Sequence, residues 1–182
     1  MSAETARKMP DNPIFERMVG QTGDPGQIAE TARACALRAL PAFTEALNAK
    51  LSWPVEIEIA QVSAIRFADA KPDPDANVAL VVASAPSSAD ALMLTLEPQA
   101  VSLMVAALFG ADESQPVPAI TRALSPIELG TASGLFADFV TAFGGSGSRA
   151  FDFHTPLPAP LSGAELKKLV IRDGPAVEIV FR

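Results

Sequence analysis

Residues 124–145, "LSPIELGTASGLFADFVTAFGG", carry the clearest pattern in the chain. Ile127, Leu135, Phe136, Phe139 and Phe143 recur at helical spacing. Ser125 is placed as N-cap, Pro126 as the first helical residue and Glu128 as the third, which makes a capping box. Leu124 and Leu129 take the two positions of a hydrophobic staple, and Gly144 and Gly145 stop the helix. Between those firm ends lies a second face of small residues, Gly130, Gly134, Ala137 and Thr141, at i, i+4, i+7 and i+11.

The same reading gives the other elements. Asp24 and Pro25 open a helix through about Lys50, with Ile28, Cys35, Leu40, Phe43 and Leu47 on one side and Pro41 set to kink or divide it. Val55, Ile57 and Ile59 alternate with Glu56, Glu58 and Ala60 as in a half-buried strand, and Gln61 and Ser63 mark a bulge. "VALVVA" and "ALMLTL" are short apolar strands. Glu97-Pro98 starts a helix carrying Val101, Met104, Val105 and Leu108 up to Gly110. "AFDFH", "KLVIR" and "VEIVFR" are strand-like, with a turn at Asp173-Gly174. The order is helix, strands, helix, then helix, strands: two α/β half-repeats, about 24–110 and 124–182, behind a polar arm at 1–23 in which only "IFERMV" is apolar.

Composition narrows the function. At 182 residues, 49% hydrophobic and 19% charged, the chain is predicted to form one core. No apolar run reaches the ~18 to 20 residues that cross a bilayer, and "MSAETARKMPDNP" has no apolar signal segment, so a cytoplasmic protein without membrane insertion is expected. A net charge of -7 and the lack of a basic patch argue against nucleic acid. Cys35 and His154 are each the sole residue of their type, which leaves no Cys/His zinc set and no internal disulfide. Asp69, Asp73 and Asp75 lack the glycine and closing glutamate of a calcium loop, and "GGSGS" at 144–148 lacks the Lys-Ser/Thr of a phosphate loop. No metal, cofactor or catalytic site is predicted. Cys35 reads as packing, and His154, alternating with Phe151 and Phe153, as a surface residue.

"WPVEIEIAQVSAI", "LTLEPQAVSLMVAALFG" and "LSPIELGTASGLFADFVTAF" together resemble the middle domain of the flagellar motor switch protein FliM, within the CheC/CheX/FliM group. The resemblance covers about residues 28–182. It implies an α/β fold: a pseudo-two-fold CheC-like domain with two long helices packed on a shared sheet. On that resemblance the second half is expected to be shortened, "VEIVFR" falling before the family's last strand and helix, as in a fragment or a shortened paralogue. Phosphatases of the group carry a Glu and, three residues later, an Asn on this helix to orient the water that attacks phosphorylated CheY. Those positions fall on Gly134 and Ala137, and the first helix offers Glu30 with Arg33, so the resemblance implies a scaffold and no enzyme.

As a scaffold it would sit at the cytoplasmic basal body beneath the inner membrane, with FliG-like and FliM-like partners and FliN as a further one. The acidic motif that captures CheY is not evident in residues 1–23, which counts against CheY binding. The loop facing FliG falls on Pro86, Ser87, Ser88 and Ala89, in place of the family's glycines. The two small faces, Ala29, Ala32, Ala36 and Ala39 on the first helix and Gly130, Gly134, Ala137 and Thr141 on the later one, are expected to pack closely on each other. Two alternatives stand beside this reading. One is a CheC-like phosphatase of CheY using Glu128 and Asp138; the other is a CheC-fold adaptor outside the motor.

Overall fold

The helix starts are built as the sequence predicts. In the computed structural model, which describes residues 24–86, 91–145, 151–170 and 173–182, Asp24 caps α1 (Pro25–Asn48) by accepting the Gly26 N–H at 3.1 Å. The helix runs unbroken through Pro41. Pro41 removes the hydrogen bond to the Leu37 carbonyl, but Pro41 and Leu37 are both exposed, so water can satisfy that carbonyl. From Gly26 to Cys35 no residue of α1 is buried; burial starts at Ala36 and continues through Ala39, Leu40, Phe43 and Leu47. Ile28, placed on the core stripe by its spacing, is 43% exposed because it lies beyond the part of α1 that meets the sheet and α3.

The extended segment after α1 is clamped before it enters a ladder. Asn48 donates to the Val55 carbonyl and accepts the Val55 N–H, and Glu58 exchanges both backbone bonds with Arg182. β1 (Ile59–Arg66) then pairs antiparallel with β4 (Pro175–Phe181), and the register shifts between Ile59 and Gln61, where the broken alternation predicts a bulge. β2 (Ala79–Ser84) pairs antiparallel with β3 (Ala91–Leu96). The "DAKPDPDAN" stretch forms short 3-10 turns, Phe67–Ala70 and Pro74–Ala76, and ends on Asn77 in the left-handed region at φ 54°.

Among the described residues the strands form two two-stranded ladders instead of one shared sheet. The "AFDFH" expectation fails at residues 151–154, which form no strand: Phe151 stacks on Phe143, Phe153 lies tilted against the same ring, and the His154 N–H donates to the Ser84 carbonyl of β2. Leu161 bridges Leu80 alone, since Pro156, Pro158 and Pro160 just before it have no N–H to extend a ladder. "KLVIR" also departs from its strand reading. Its lysine, Lys168, ends a 3-10 helix, Gly163–Lys168, which buries Leu166 completely, and the last two residues of the motif lie outside the described residues.

α2 (Pro98–Leu108) buries Val101, Met104 and Ala107 and stops at Gly110, whose φ of +74° suits a residue without Cβ. α3 (Pro126–Gly144) starts with the predicted capping box, the Ser125 hydroxyl accepting the Glu128 N–H and the Glu128 carboxylate accepting the Ser125 N–H. Leu124 and Leu129 staple the same core cluster, which joins Ala79 and Val81 of β2, Val101 of α2, and Ala132 and Phe136 of α3. A second cluster holds α1 to α3 through Phe43, Leu47, Met104 and Phe139. At its centre the Phe139 ring meets Phe43 at 5.1 Å and Phe181 at 5.5 Å edge-on, and Phe143 at 5.7 Å stacked.

Candidate interaction surface

The small residues of α3 occupy its outer side. Gly130, Gly134, Ala137 and Thr141 are all exposed, so they do not meet α1, and the expected packing of one small face on another does not occur. On α1, Ala36 and Ala39 are buried while Ala29 and Ala32 are half-buried. The reason lies in what each side of α3 would leave in water. Turning its glycines inward would expose Phe136 and Phe139, and each fully buried Phe is worth about 1.5 to 3 kcal/mol. The helix therefore buries Ala132, Phe136, Phe139 and Val140. Ile127, read from its spacing as a core position, is 63% exposed and extends the outer strip.

A β-carbon added at Gly130 or Gly134 would meet, beyond its own stretch of helix, no atom of the described residues within 4 Å. Among the described residues nothing uses their smallness, although each costs about 1 kcal/mol relative to Ala in a helix interior. The strip from Ile127 through Gly130, Gly134, Ala137 and Thr141 carries no charged side chain. Asp138, beside it, is tied to Lys50.

At the foot of α3 lies a charge lock that spacing revealed only in part. Arg122 grips Glu128 with both guanidinium arms, Nη2 on Oε1 at 2.8 Å and Nη1 on Oε2 at 2.9 Å, while the Ser125 N–H donates to Oε2 at 2.6 Å. Glu128 is 7% exposed. The Arg122 hydrogen bonds, together with those from Ser125 and the charge of Arg122, outweigh burial and hold the carboxyl at about 2 instead of an ordinary 4.5. The capping box identified Glu128, but Arg122, six residues earlier across an irregular loop, gave no periodic signal. The lock carries the end of that loop: Gln99 donates to the Val117 carbonyl and Ser102 to the Pro118 carbonyl, fastening its middle to α2.

This geometry bears on catalysis. Both oxygens of Glu128 accept from Arg122 or Ser125, and Oδ2 of Asp138 accepts from Lys50. Gly134 and Ala137 are exposed on the outer strip, and neither side chain can act as acid, base or hydrogen-bond partner. Glu30 is exposed and Arg33 half-buried on α1. Among the described residues no three His, Cys, Asp or Glu side chains are grouped to hold a metal ion, and no helix is long and apolar enough to cross a membrane.

Pro86, the first residue of the candidate contact loop, is exposed after β2; Ser87, Ser88 and Ala89 lie outside the described residues, as does the arm at 1–23. Cys35 is half-buried and His154 exposed. The sequence reading overlooked Phe109, which is 73% exposed beside Leu108 at 39%. The Phe109 N–H donates to the Val105 carbonyl, and two residues on Ala111 donates its N–H to the Ala106 carbonyl and accepts the Trp53 indole N–H at 2.9 Å. The signal available was an apolar pair immediately before the stopping glycine.

No family model matches the chain, and no curated protein matches its sequence. Solved structures do match in fold. A chain of the FliG-FliM complex from H. pylori aligns with a TM-score of 0.68 at 16% identity, covering 84% of this chain and 82% of that one. A chain of the FliM-SpeE complex from H. pylori aligns at 0.68 and 14% identity, covering 88% and 81%. The FliM middle domain from H. pylori aligns at 0.67 and 15% identity, covering 88% and 84%. The chain thus has the CheC-like fold of a FliM middle domain.

Proposed function

We propose that this chain is a noncatalytic scaffold of a bacterial flagellar motor switch, acting by protein-protein contacts in the cytoplasmic ring at the basal body. The shared fold over more than four fifths of the chain supports the reading, and one of the matched structures is a complex of FliM with FliG. Its partners would be a FliG-like protein, further FliM-like domains and FliN. The FliG-like contact is assigned to the loop of Pro86, Ser87, Ser88 and Ala89. Contacts between neighbouring FliM-like domains are assigned to the strip of Ile127, Gly130, Gly134, Ala137 and Thr141 on α3. The observation that carries this second assignment is the open space over both glycines, whose smallness serves no packing among the described residues.

Sedimentation of the full chain over a concentration series tests the strip. Self-association in the micromolar range, about -8 kcal/mol, is expected, and Gly134→Leu should weaken it at least tenfold while leaving the thermal midpoint no lower than that of the original chain. A monomer throughout the series, or unchanged association of Gly134→Leu, contradicts the assignment.

A further inference from the structure

We draw no further inference here: the strongest candidate, the exposed knob of Leu108 and Phe109 at the C-terminal end of α2 beside Asp112 and Glu113, carries nothing because nothing in the structure shows what covers it.

Discussion

Replacing Glu128 by Gln keeps the shape of the side chain and removes the charge that Arg122 and Ser125 hold. The folded carboxyl sits at about 2, the unfolded one near 4.5. At 1.36 kcal/mol per pH unit, that gap corresponds to about 3 kcal/mol of stability at neutral pH. The Arg122 side chain is 62% exposed, so water screens the pair and lowers the expected loss to about 2 kcal/mol. Because the folded value is depressed, the stabilisation is complete above 4.5, declines as pH falls, and is gone below about 2; at pH 3 roughly half or less remains. Urea titrations of both proteins at pH 7, 5 and 3 read this directly. The midpoint of Glu128→Gln should lie below that of the original chain at pH 7 and 5, with unchanged slope, and the gap should narrow at pH 3. A difference under about 0.5 kcal/mol at pH 7, or one that stays constant from pH 7 to 3, refutes the lock.

Phe139 is the aromatic hub between α1, α3 and β4, and Phe139→Ala should cost about 3 to 5 kcal/mol in a urea titration, the range for emptying a buried Phe site. At Gly134, where a β-carbon meets no described residue beyond its own stretch of helix, Gly134→Ala should raise stability by about 1 kcal/mol, measured the same way. A loss at Gly134 would mean that the glycine is needed inside the fold.

Elements whose signals are local were readable from sequence, because their causes lie within a few residues. The Ser125-Pro126-Glu128 start of α3, the Asp24 cap, the Gly110 stop and the bulge near Gln61 all depend on neighbours along the chain. The misreadings share another cause. Alternation at 151–154 and the β-branched residues after Lys168 favour extended chain, but a strand needs a partner edge. The proline run at 156–160 removes donors, and Leu166 gains more by filling the pocket with Val78 and Leu80. The apolar stripe of α3 with Phe136 and Phe139 is legible in the sequence, but the expected packing of its small face on that of α1 fails, because burying those two rings turns the small face outward. Arg122 and Phe109 were invisible to periodicity, one because its partner lies across an irregular loop and the other because exposure is a property of the assembled fold.

The central claim is a motor-switch scaffold that binds a FliG-like partner through the loop after β2. Calorimetry of the full chain with the middle domain of FliG from the same organism tests it most directly, with Ser87→Glu and Ser88→Glu run in parallel. The account predicts a dissociation constant in the micromolar range or tighter, about -8 kcal/mol, weakened by both substitutions. No heat of binding from a folded chain, or binding indifferent to both substitutions, contradicts it.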